Sequence, residues 1–204
     1  MSDKPDRYHL LKSLINNKIW LLFSMKKIFV FAILIAVISC SKSQPPQIDF
    51  FKENVVIDIL KDRVNVTGIY YMKNLTNIDK RVTFYYPFPV DSLHAYPDII
   101  LIDYPFDKDT AGIYFDLSIP ARQADSFKVL YQQKLTKRQC RYITLTTRQW
   151  QRPIKFASFT VIAPEFLKLN INYPVSGKET INDTVFYYIR LKNFFPGADL
   201  KIKW

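Results

Sequence analysis

Two histidines, His9 and His94, are all that 204 residues provide, and this scarcity limits the chemistry open to the chain. Imidazole is the usual general base and metal ligand near neutral pH. A zinc centre built from several histidines is excluded in any domain that lacks His9. A Ser-His-Asp relay would have to use His94, which follows Asp91 and Ser92. Such triads assemble through space rather than along the chain, so the expectation is a turn or surface histidine. The chain holds 4 glycines, too few for a phosphate-cradling loop, and neither a G-x-S-x-G nor a G-x-G-x-x-G pattern occurs.

Carboxylates and the thiol offer little more. Asp98, Asp103, Asp107, Asp109 and Asp116 form an acidic stretch. Asp107 to Gly112 follows the first half of a calcium loop, with glycine at the sixth position. The fifth position is Ala111, however, and the twelfth is Ser118 rather than Glu. A solvated loop tip is expected, and no metal. Cys140 stands near Lys137, Arg138 and Arg141, cations that lower a thiol pKa when they face it. The expectation is instead a small apolar residue buried in a strand. No catalytic residue and no cofactor are expected.

The strongest interaction candidate runs from Gln139 to Lys155. Arg141, Tyr142, Arg148, Trp150 and Arg152 are of the types that dominate binding hot spots. Two arrangements are open. Trp150 lies between guanidinium groups and gains cation–π energy, or it plugs one end of the core while the arginines reach outward along their stems. Lys134, Lys137, Arg138, Arg141, Arg148, Arg152 and Lys155 share a stretch without acids, and such a patch attracts phosphate-bearing surfaces.

Strands must position these side chains, because the apolar period between residues 45 and 204 is two. Leu167, Leu169, Ile171 and Tyr173 alternate most clearly with polar residues. Similar alternation marks residues 64–72, 82–86, 127–131, 157–161, 185–191 and 200–204, while 55–60 and 99–102 read as more fully buried. The 12 prolines, many beside aromatics, suit strands that stop abruptly, since proline cannot donate to a central ladder. One short helical turn is expected at 146–151. The pattern predicts an all-β, antiparallel immunoglobulin-like β-sandwich over residues 48–204.

Ahead of it, Lys26 and Lys27 precede an apolar run of 11 residues, Ile28 to Ile38, and then Ser39 and Cys40. A signal core needs roughly 7 to 15 apolar residues, and a spanning helix about 20. The run predicts an N-terminal signal helix, with an uncleaved signal anchor as the alternative. A helix from Ile19 to Cys40 would be long enough to span. It would hold Lys26 and Lys27 near its middle at about 2.5 to 3.5 kcal/mol each. Val37-Ile38-Ser39-Cys40 directly after the core resembles the lipobox of bacterial lipoproteins. The resemblance implies cleavage after Ser39 and lipid on Cys40, where two or more acyl chains anchor stably. Ser41 resembles an outer-membrane rather than an inner-membrane address. On this reading translation starts at Met25, residues 1–40 are an extension plus signal peptide, and 41–47 are a tether. The net charge of +11 falls to +7 without residues 1–40. With Cys40 acylated, Cys140 has no disulfide partner within the chain.

Gly68 to Asn74 followed by Val82 to Pro89 resembles the opening hairpin of vault/inter-alpha-trypsin-type β-domains. Ser118 to Arg122 is similar to the proline-led loops of bacterial immunoglobulin-like modules, although Ala121-Arg122 replaces the usual glycine. These resemblances imply a fold class and nothing catalytic. The expected function is a lipid-anchored, non-catalytic binding or assembly module of the bacterial cell envelope. It would meet the membrane through Cys40 and an envelope protein or anionic envelope polymer through the basic segment, with no nucleic acid. The alternatives are a hydrolase acting on envelope polymers through Asp and Glu side chains, and a structural subunit of a surface assembly.

Overall fold

Period-two alternation becomes thirteen strands in the computed structural model, which describes residues 47–204. In chain order they are β1 (Ile48–Ile59), β2 (Arg63–Asn74), β3 (Lys80–Pro87), β4 (Ile99–Ile102), β5 (Phe106–Lys108), β6 (Gly112–Ile119), β7 (Ala124–Lys134), β8 (Gln139–Tyr142), β9 (Ile154–Pro164), β10 (Asn170–Ile171), β11 (Gly177–Ile181), β12 (Thr184–Phe194) and β13 (Leu200–Lys203). A short 3₁₀ helix, Leu145–Trp150, follows β8 close to the expected helical turn. Ser39, Cys40, the signal helix and most of the tether lie outside the described residues. Among the described residues, no helix is long and apolar enough to cross a membrane.

One large sheet of seven strands runs in the order β11-β12-β9-β1-β2-β7-β4, and two sheets of three strands run β3-β6-β5 and β10-β13-β8. The fold is all-β and sandwich-like. Pairing is antiparallel except between β1 and β9, whose residues Lys52–Asp58 run parallel to Phe156–Ile162. Strand β2 shows why the large sheet has an inner face. Val64, Val66, Gly68, Tyr70 and Met72 are all buried, and the residues between them are half-buried. Their partners across the ladder, such as Val129 and Phe127 on β7, continue the same face.

The two small sheets divide that inner face between them. Phe84 of β3 and Phe115 of β6 pack on Phe127 of β7, at ring separations of 5.5 and 4.9 Å. On the other half, Tyr142 of β8 packs edge-on against Phe159 of β9 at 5.8 Å. Each such aromatic pair contributes about 0.5 to 1.5 kcal/mol beyond its buried area. Asn74 controls the crossing from the large sheet to β3. Its side chain is fully buried, donates to the carbonyls of Ile78 and Ile119, and accepts from the Thr76 N–H.

Three expectations need correction. The segment read as an opening hairpin is none: β2 pairs with β1 and β7, while β3 pairs with β6 in another sheet. Residues 99–102 are not deeply buried, because β4 is an edge strand that leaves Ile99 and Leu101 exposed. The alternation from Leu167 to Tyr173 yields only the two-residue strand β10. Its four apolar residues still pack against the core, so there the period reports burial without a ladder.

Candidate functional site

Glu53 lies on the inner face of the large sheet, where alternation with Val55, Ile57 and Ile59 requires it to point inward. A β-bulge between Phe50 and Lys52 then shifts the register, so Phe50 also faces in. Across the ladder Glu53 sits beside Tyr70 on β2 and Ala157 on β9. The residue is 1% exposed, and its Oε1 has no hydrogen-bond partner among the described residues. Burial without compensation disfavours the charged form and pushes the Glu53 carboxyl up to about 8.

Three tyrosines meet beside it. Tyr70 Oη lies 2.7 Å from Tyr86 Oη and 2.8 Å from Tyr142 Oη. One residue comes from each sheet, so this hydroxyl chain ties β2, β3 and β8 together. Three hydroxyls carry three protons and two bonds use two of them, which leaves one O–H to donate elsewhere. Burial first, and then the neighbouring phenols, hold all three well above the ordinary tyrosine range. Gly68 makes the arrangement possible, since a Cβ there would overlap the Tyr70 hydroxyl.

These groups line a cavity of about 340 Å³ at the seam of the three sheets. That is within the usual ligand-pocket range, roughly 300 to 1,000 Å³. Phe50, Phe84, Phe127 and Trp150 supply aromatic walls, and exposed Thr83, Tyr85 and Gln149 mark the mouth. Trp150 stacks on Phe84 at 5.9 Å and meets Phe50 edge-on at 6.1 Å. The 3₁₀ helix places it there and ends at Gln151 in the left-handed region, with φ 55°.

The predicted binding residues part company in space. Tyr142 and Trp150 enter the cavity, whereas Arg148 lies over the Phe195 ring, 5.0 Å from its centre, and Arg152 is exposed in the bend before β9. The stacking of Trp150 is therefore with phenylalanines. Arg141 joins a second cluster, bonding Asp91 at 2.8 Å and Asp199 at 3.5 Å. The acid-free stretch of sequence is not acid-free in space: Lys134 pairs with Asp98 and Lys155 with Asp49.

His94 closes the Asp91–His94 turn, as one of the two expected placements has it, but it is buried at 2% exposure in that second cluster rather than on the surface. Its Nε2 accepts the Arg141 backbone N–H at 3.1 Å, which leaves the ring proton on Nδ1 to be donated to Asp91, 2.8 Å away. Both nitrogens are used, so the ring has no free lone pair for a serine. Partial burial opposes ionisation of Asp91, but bonds from His94 and the Leu93 N–H, with the Arg141 charge, hold its carboxyl below the usual range. Asp199 accepts the N–H groups of Thr144 and Leu145 and so fixes the start of the 3₁₀ helix. Cys140 is buried, and burial pushes its thiol up to about 12. Among the described residues no three His, Cys, Asp or Glu side chains converge as metal ligands. Asp109 instead accepts the Ala111 N–H within the β5–β6 turn.

No protein-family model matches the chain, and no curated protein matches it. Solved structures do. A candidate nutrient-binding protein from Legionella pneumophila superposes with a TM-score of 0.61 at 14% identity, over 78% of this chain and 67% of that one. An M1 zinc metallopeptidase from Deinococcus radiodurans gives 0.47 at 8% identity, over 77% of this chain and 42% of that one. Aminopeptidase A of Legionella pneumophila gives 0.43 at 12% identity, over 80% of this chain and 22% of that one. At these identities the likeness concerns the fold alone.

Proposed function

We propose that the chain is a lipid-anchored, non-catalytic binding module of the bacterial cell envelope, and that it holds a small molecule in the seam cavity. The anchoring rests on the lipobox-like Val37-Ile38-Ser39-Cys40 after its signal core. One observation carries the binding: the residue with an unpartnered carboxyl oxygen lines a cavity rich in aromatic rings. An unpaired buried carboxyl costs stability, and a ligand that pairs it would recover that cost. Among the described residues, Glu53 is the one carboxylate that lines the cavity. Hydrolysis of glycosidic bonds commonly uses two, which favours binding over the envelope-polymer hydrolase. The fold-level likeness to a candidate nutrient-binding protein is compatible with this reading and adds no ligand.

Mass spectrometry of the protein isolated with native membranes tests both halves. The intact chain is expected to begin at acylated Cys40, and denaturation is expected to release a small molecule at about one per chain. An unmodified residue other than Cys40 at the start refutes the anchor. A ligand-free extract, from protein isolated without harsh washing, refutes the binding.

A further inference from the structure

We infer that the seam cavity is a site for a primary organic ammonium, whose N–H groups pair with Glu53 while its body lies among the rings of Phe50, Tyr70, Phe84, Phe127 and Trp150. The inference rests on the small-molecule reading above and names the ligand's chemistry.

Four observations lead to it. The buried Oε1 of Glu53 lacks a donor, and an ammonium brings three. Among the described residues the lining includes no Lys, Arg or His, so none of their cations competes for the carboxylate or attracts an anion. The walls carry many aromatic rings, and a ring face attracts a cation within about 6 Å of its centre. Finally, the Tyr86–Tyr70–Tyr142 chain keeps one O–H to donate, which suits a ligand bearing an oxygen near its amine.

A neutral ligand accepting a bond from protonated Glu53 is the rival, and pH separates the two. Glu53 keeps its proton to about pH 8. An ammonium has to displace that proton, so its affinity rises about tenfold per pH unit between 6 and 8 and then levels. A hydrogen-bond acceptor shows the opposite sign, losing affinity above 8. The titratable groups facing Glu53 are Tyr70 on β2, Tyr142 on β8 and Tyr173 between β10 and β11, all raised by burial and so neutral throughout this range. From the other elements Ala157, Phe127, Tyr86 and Thr147 complete the surroundings, and of these only the Tyr86 phenol, also held high, titrates.

The probes are phenethylamine and its uncharged counterpart 2-phenylethanol, titrated calorimetrically into the full chain in detergent, with detergent-only blanks. The amine is expected to bind at least about tenfold tighter than the alcohol at pH 8 and to weaken about tenfold per unit toward pH 6. Glu53→Gln is expected to erase both the preference for the amine and its pH slope. The wild-type pH series stands even if that variant misfolds. Equal binding of both probes, or affinity that falls above pH 8, overturns the ammonium assignment and leaves the cavity reading intact. Binding of neither probe at millimolar concentration overturns the assignment too, and the membrane extract then decides the cavity reading separately.

Discussion

Glu53 and Asp91 are both carboxylates close to a small sheet, yet they sit in opposite circumstances: Glu53 is buried and Asp91 is exposed. Asp91 accepts from His94, Arg141 and the Leu93 N–H. Glu53 has an oxygen that accepts from nothing. Around Asp91, His94 spends both ring nitrogens, and Asp199 completes the cluster by gripping the 3₁₀ helix. Arg141 Nε is the one nitrogen there left without a partner. Burial of polar groups is common to both regions. Satisfaction separates them: paired groups hold the fold, and the unpaired group has no partner among the described residues. Removing Glu53 should therefore raise stability and abolish recognition, and removing His94 should do the reverse.

The largest effect should come from Glu53→Gln in alkali. The folded-state pKa of about 8 lies above the ordinary 4.5 of a glutamate side chain, so the folded state holds this proton longer than the unfolded chain. Wild-type stability should fall as pH rises from about 4.5 to 8 and then level, by up to about 5 kcal/mol in total. The variant lacks that slope. Urea unfolding at pH 5 and pH 9 measures it, with similar stabilities expected at the lower pH and a more stable variant at the higher. Parallel pH curves for the two proteins would mean that Glu53 is solvated, and the contrast with Asp91 would vanish.

His94→Ala comes next. It leaves Asp91 and the Arg141 N–H without their partner in a site 2% exposed, which costs about 2 to 4 kcal/mol. Thermal unfolding should register the loss, while phenethylamine affinity stays within about twofold. A collapse of affinity would show that the paired cluster and the cavity act as one unit.

Trp150→Ala should be milder, at about 2 to 3 kcal/mol, because the ring is only half-buried. Unlike His94→Ala it should also weaken both probes, since the ring forms a cavity wall against Phe50 and Phe84. Stability loss with unchanged binding of both probes would make Trp150 a plug and move recognition elsewhere.

How much of this could be read from the sequence depends on whether the property is local. Burial parity is local, so the inward stripes of β2, β7, β9 and β12 follow directly from alternation. Glu53 was within reach by the same rule. Val55, Ile57 and Ile59 share its parity, but Phe50 has the other, and only the bulge reconciles them. The meeting of Tyr70, Tyr86 and Tyr142 was not legible. It depends on which sheets face each other, and the parallel pairing of β1 with β9 joins segments about a hundred residues apart. Basic residues 134–155 misled for a related reason: their acidic partners Asp49, Asp91, Asp98 and Asp199 come from outside the stretch.

Cys140 tests the paired region with the smallest change in stability. Its neighbours Lys137, Arg138 and Arg141 are basic, and proximity in sequence would predict an activated thiol. In β8, however, burial alternates, and Cys140 turns inward with Tyr142 while Gln139 and Arg141 are only half-buried. Arg141 in addition gives its charge to Asp91 and Asp199. Desolvation then has no opponent and pushes the thiol up to about 12. At pH 8 the thiolate fraction would be about one in ten thousand, against roughly a quarter for a free cysteine. Alkylation followed by peptide mapping at Cys140 should therefore run at least about a thousandfold slower in the native protein than in urea. Cys140→Ala should lower stability by only about 1 kcal/mol, because a small side chain is removed from a packed site. Rapid native labelling would place a cation against the sulfur, and the second cluster would then hold an activated group of its own rather than a satisfied one.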